Sequence, residues 1–134
     1  MLNPANGHSY KRIHCNSWKD AQAKAVAEDA YLVSINNAAE QQWLLEVFGT
    51  NRYWIGLTDI AKEGEWLWTS GEPVTYTNWA PYRPINADKS NDNYVFTDLY
   101  GEWSNIVRGN MMWWLPKEAI IEKDNLPAKT PAKE

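Results

Sequence analysis

The chain has 134 residues, one domain's worth, and carries 13 Lys and Arg against 17 Asp and Glu for a formal charge of -4. Nucleic acid and anionic membrane both demand a concentrated positive face, so neither is an expected partner. No apolar run approaches the ~20 residues that span a bilayer, and the lone Cys15 excludes an internal disulfide, a multi-cysteine metal site and a CxxC redox pair.

The opening stretch MLNPANGHSY lacks the charged and apolar regions of a signal peptide, which implies either an internal protein or a leader outside this sequence. SWKDAQAKAVAED, residues 17–29, reads as a helix. Ser17 can cap it, Asp20 stands three positions on, and Trp18, Ala21 and Ala25 share one face. YLVSI, residues 31–35, is β-branched and strand-like. A second helix is expected from Asn37 or Ala38 to Val47, with Trp43, Leu44 and Val47 inward and a stop at Gly49.

From Tyr53 onward the pattern changes to short apolar and aromatic runs separated by turn residues: YWIGL, EWLW, VTY, NYVFTDLY, EWSNIV and EAIIE. Between the third and fourth runs lies APYRPINADKSNDN, residues 80–93, where prolines and a series of Asn and Asp oppose helix and central strand. A loop of that length within one domain is usually functional or disordered. The tail DNLPAKTPAKE is expected to be a linker or frayed terminus, giving a domain over 1–123 and a tail over 124–134. The fold class that follows is α+β, two helices packed on antiparallel strands with a long loop emerging from the sheet. Nine Trp and seven Tyr against two Phe favour aromatic packing with a polar handle on each ring.

YWIGLTD, EGEWLW, YTNWAP and GEWSN occur in the order of the landmarks of a C-type lectin-like domain, and the chain resembles that family from residue 7 to residue 123. SWKDAQAKA is similar to the family's first helix, YLVSINNAAEQQWL to its strand and second helix, and AIIEK to its closing strand. The resemblance implies a double-looped fold whose long loop carries the ligand site, and residues 80–93 fall in that loop. It implies a disulfide between the first helix and the closing strand, but Ala25 and Ile121 occupy the matching positions, and Tyr94 stands where half of the second disulfide would be. A disulfide-free chain of this kind looks like a bacterial or phage-type member.

Sugar-binding members carry Glu-Pro-Asn in the loop and Trp-Asn-Asp on the following strand, where together they bind calcium and sugar. Here those positions hold Arg83, Pro84 and Ile85, then Trp103, Ser104 and Asn105. Arginine offers only donors and a positive charge, so it cannot replace a calcium-binding Glu. Asp92 aligns with an acid of the sugar site, and Asn86 can stand in for the lost Asn. Calcium is therefore not an expected cofactor, although Asp59, Glu63, Asn86, Asp88 and Asp92 are the residues that would hold it. Arg83 is expected to pair with Asp88 or Asp92 and to order the loop without metal.

The candidate ligand-binding residues are Arg83, Asn86, Asp88, Asp92, Asn105, Trp113 and Trp114, with no catalytic residue and no metal ligand assigned. Trp54, Trp66, Trp68 and Trp79 read as core. Met111 to Trp114 forms an insertion whose exposed side chains would contact ligand or join a second copy, though core packing fits it equally. His8 and His14 read as solvent or cap residues, and Cys15 as a small buried hydrophobe. Phosphate-cradling Gly loops, nucleophile elbows and HExxH are missing, so no enzyme is expected. The leading reading is a binding module for a glycan or protein, acting at an extracellular or cell-surface location. The alternatives are a calcium-dependent lectin and an assembly domain of a larger surface protein.

Overall fold

A computed structural model of the protein describes residues 1–62, 64–81, 94–105 and 116–124. The elements follow as β1 (Ser9–His14), α1 (Trp18–Ala27), β2 (Tyr31–Leu32), α2 (Ala38–Phe48), β3 (Trp54–Thr58), β4 (Leu67–Trp68), β5 (Tyr94–Thr97), β6 (Trp103–Ser104) and β7 (Glu118–Lys123). The α+β expectation holds. The sheet runs β1-β7-β3-β5-β6, with β2 added on β7 and β4 on β3. Every pair is antiparallel except β3 with β7, which meet in parallel at Trp54 and Ala119.

Both helices start where local chemistry says they should. Ser17 accepts the Asp20 N–H at 3.0 Å and Asn37 accepts the Glu40 N–H at 2.8 Å, each satisfying a donor that the first helical turn leaves open. Gly49, at φ 84°, ends α2 and returns its N–H to the Leu45 carbonyl.

Side chains alternate across the strands and divide the interior into two cores, because both faces of the sheet are covered. On the α1 face lie Cys15, Trp18, Ala21, Ala25, Leu32, Trp54, Phe96, Ala119 and Ile121. Tyr10, Val33, Ile35, Leu44, Tyr53, Ile55, Leu57, Val95, Trp103 and Ile120 fill the other face with α2. The strand β7 shows why no polar alternation is visible in its sequence: Ala119 and Ile121 enter one core while Ile120 enters the other. Ala25 and Ile121, the positions where the family resemblance implies a disulfide, meet in the same buried cluster. Tyr94 stacks on Trp18 with centroids 4.4 Å apart.

Several expectations need correction. The strand over 31–35 is paired only at Tyr31 and Leu32; Val33 continues by donating to the Ile120 carbonyl and accepting from Gly56, without a regular ladder. VTY forms no strand. Residues 72–78 alternate between half-buried and exposed, which is the pattern of a strand, but they are in no ladder among the described residues. The run NYVFTDLY stops being strand after Thr97, where Asp98 Oδ1 accepts the N–H groups of Tyr100 and Glu102 and closes a turn. The strand β1 has no counterpart among the expected elements. Tyr10 and Ile13 are its inward residues on opposite faces, and Lys11 and Arg12 between them hide any period.

Candidate functional site

The stretch before the long loop and β6, the second strand after it, are held together. Trp79 and Trp103 form an isolated parallel bridge, Trp103 donates its N–H to the Asn78 carbonyl at 2.8 Å, and Ala80 donates to the Trp103 carbonyl at 2.9 Å. This staple fixes where the chain enters 80–93 relative to where β6 delivers Ser104 and Asn105.

Beneath it lies an aromatic floor. Trp103 is fully buried and meets Trp68, Tyr76 and Trp79 edge-on, with centroids 5.6, 5.9 and 5.8 Å away, and Trp66 extends the series from Trp79 at 5.3 Å. Edge-to-face contacts of this kind add roughly 0.5–1.5 kcal/mol each beyond area burial. The Trp103 indole N–H would be costly to bury alone, and it donates to Gln41 Oε1 on α2 at 2.9 Å. The structural role expected for Trp54, Trp66, Trp68 and Trp79 therefore holds: Trp54 and Trp68 are buried, and Trp66 and Trp79 pack half-buried against the core. The Gln41 link is absent from the sequence reading. Its only sequence signal is a polar residue on the inward face of an amphipathic helix.

Of the candidate ligand residues, Asn105 is described, and it is buried at the end of the stretch that follows β6. Arg83, Asn86, Asp88, Asp92, Trp113 and Trp114 lie outside the described residues, as do Met111, Met112 and Glu63.

Asp59 is buried at the end of β3. Its Oδ2 accepts the Gly64 N–H at 2.8 Å across a turn, and its Oδ1 has no partner among the described residues. Calcium takes about 6–8 oxygens. One open carboxylate oxygen is far short of that, and no group of three or more His, Cys, Asp or Glu among the described residues is placed to hold a metal. The described residues alone do not fit a calcium site.

The histidines separate. His14 is exposed, whereas His8 is no solvent residue: its Nδ1 lies 2.5 Å from the buried carboxylate of Glu122, a correction to the expectation. Cys15 is fully buried, and burial pushes its thiol pKa up, as suits a small hydrophobe.

The family model for the Lectin C-type domain matches residues 14–108. The chain belongs to the C-type lectin domain family. Lectin BRA-3 of Megabalanus rosa is 34% identical over 104 residues, covering 75% of this chain and 64% of that protein. The human C-type lectin domain family 17, member A is 32% identical over 100 residues, covering 74% of this chain and 26% of that protein. This C-type lectin domain thus spans less than two thirds of both relatives. Among solved structures, the cow CD23 carbohydrate-recognition domain, determined in the presence of a GlcNAc2Man3 oligosaccharide, superposes with a TM-score of 0.74 at 26% identity, covering 87% of each chain. A calcium-independent type II antifreeze protein shares the fold, with a TM-score of 0.74 at 22% identity over 91% of this chain and 94% of that one. These sequence relatives are eukaryotic proteins and lend no support to a bacterial or phage source.

Proposed function

We propose that this domain is a non-enzymatic binding module that recognises a glycan or a protein through residues 80–93 and 104–114 without calcium, at the cell surface or outside the cell. One observation carries the reading. In a member of a ligand-binding family, the Glu-Pro-Asn and Trp-Asn-Asp sets are replaced by Arg83-Pro84-Ile85 and Trp103-Ser104-Asn105, which removes the acidic ligands a calcium site would use. Main-chain hydrogen bonds between Asn78, Ala80 and Trp103 join the two chain segments among the described residues. Arg83 paired with Asp88 or Asp92 would supply the remaining order. Residues 1–123 form the binding unit and 124–134 a tail, and Met111 to Trp114 supplies ligand contact, a self-association surface or core packing.

Asp59 Oδ1, without a partner among the described residues, favours a second reading, a calcium-dependent lectin in which Asp59 and Glu63 would hold an auxiliary ion and Asn86, Asp88 and Asp92 the ion of the loop. Thermal melting in calcium and in chelator separates the two. A bound ion stabilises by mass action, about 2.7 kcal/mol at a hundredfold excess over its Kd. The calcium-free reading expects coincident midpoints, and a rise of several degrees in calcium selects the lectin. A glycan and peptide array, read with and without calcium, then identifies the ligand class. Silence on both arrays removes the binding reading.

A further inference from the structure

Alternation along β7 turns Glu122 into the core that holds Ile120, an unusual place for a carboxylate. Glu122 is 1% exposed, and Glu40 from the first turn of α2 is 5% exposed beside it. Tyr10 of β1 lies between them, its hydroxyl 2.5 Å from Glu40 Oε2 and 3.2 Å from Glu122 Oε2. A phenol has one proton to give, and the shorter contact assigns it to Glu40. Main-chain N–H groups satisfy the far oxygens, Ser34 donating to Glu122 at 3.1 Å and Asn36 to Glu40 at 2.9 Å.

The N-terminal segment closes over this group. Asn6 Nδ2 donates to the Tyr10 hydroxyl at 2.7 Å, and His8 Nδ1 reaches Glu122 Oε2 at 2.5 Å. Main-chain bonds between Met1 and Tyr10, and from Asn3 to the His8 carbonyl, fold residues 1–8 back along β1.

We propose that residues 1–8 are a pH-operated latch, closed on the sheet through His8 while the Glu40, Tyr10 and Glu122 group holds its protons and released as it loses them. With His8 charged and both carboxylates ionised, the buried group is at net -1, and without the imidazolium proton it is at -2. Neutrality requires two protons shared among Glu40, Glu122 and His8. The other groups that face the pair do not help: Glu72 acts on Glu40, Asp124 lies 3.8 Å from His8 Nε2, and Tyr31, itself pushed up by burial, bears on Glu122. Of nearby cations, Lys11 is paired with Glu28, Lys123 is on the exposed side, and the Met1 amino group is bound to the Tyr10 carbonyl.

Burial raises both carboxyl pKa values, and the hydrogen bonds from Tyr10 and His8 only partly oppose it. A carboxyl raised in the folded state binds its proton more tightly than in the unfolded chain. Its stabilising contribution is complete below the unfolded value of ~4.3 and is lost as pH rises through the folded value. Mild acid closes the latch and rising pH opens it.

Amide hydrogen exchange on the full chain, corrected for intrinsic rates and recorded from about pH 4, near the ordinary carboxyl value, up to about pH 8, provides the test. Protection at Asn3, Gly7 and Tyr10 is expected to be lost progressively as pH rises, while protection in β3 is retained. Glu40→Gln imitates the neutral acid, leaves one oxygen to accept from Tyr10 or Asn36, and should weaken the dependence, since Glu122 and His8 alone then share a proton. His8→Ala should leave the segment open throughout. Uniform protection across the range overturns the latch, as does an unchanged dependence in Glu40→Gln. Should Glu40→Gln not fold, a His8→Ala segment that stays protected in acid overturns it equally.

Discussion

Gly56 sits at the centre of β3 where two other segments press against it, and replacing it with alanine separates steric from conformational cost. A Cβ at this position would lie 2.6 Å from the Leu32 carbonyl oxygen, 3.0 Å from that of Val33 and 3.0 Å from Thr69 Oγ1. Carbon and oxygen ordinarily approach no closer than about 3.3 Å, so the Leu32 carbonyl would have to retreat by roughly 0.7 Å. It is not free to do so. Leu32 pairs with Ile121, Val33 donates to Ile120 at 3.0 Å, and Gly56 donates to Val33 at 2.9 Å. Overpacking costs ~1–3 kcal/mol and a weakened buried main-chain bond about 1 kcal/mol more, so Gly56→Ala should lose ~2–4 kcal/mol. Gly71→Ala is the control. Gly71 has φ 89° and nothing within 4 Å of the added carbon, leaving only a left-handed backbone penalty of ~1–2 kcal/mol. Urea unfolding of both variants, compared at equal slopes, reads the difference as a midpoint shift. A Gly56→Ala midpoint at or above that of Gly71→Ala refutes the close approach of β3 to the 32–33 segment.

Trp103→Phe keeps the ring on the aromatic floor but strands Gln41 Oε1, and should cost ~1–3 kcal/mol in chemical unfolding; the double variant with Gln41→Leu should recover part of that loss. Asn37→Ala removes the acceptor for the Glu40 N–H and should destabilise by ~1 kcal/mol, seen as a lower thermal midpoint with an unchanged fold by circular dichroism.

Features that depend on a few adjacent residues are legible in the amino-acid order itself. Ser17, Asn37 and Gly49 announce helix ends through bonds spanning three or four positions, and the buried Trp18, Ala21 and Ala25 follow from helical period alone. What stays hidden depends on distant partners. Residues 72–78 have strand-like alternation, yet whether they join a sheet is decided by which backbone lies alongside. The strand β1 is recognisable only once β7 is there to pair with it, since its charged centre resembles a solvent loop. The Gln41 bond to Trp103 and the His8 contact with Glu122 join residues 62 and 114 positions apart, beyond any local pattern. For the site, position in the loop and the replaced acid and amide residues are legible, while the staple beneath it is not.

The pairing of Ser9 with Lys123 places the start of the first strand directly across from the end of the last, one ladder spacing of about 5 Å away. Tension applied to these two points would pull β1 away from β7 one rung at a time, opening the pair like a zipper and never loading all its bonds together. Under force the domain should therefore yield first at this seam, at low load, with the aromatic floor and the staple at the loop's base still intact.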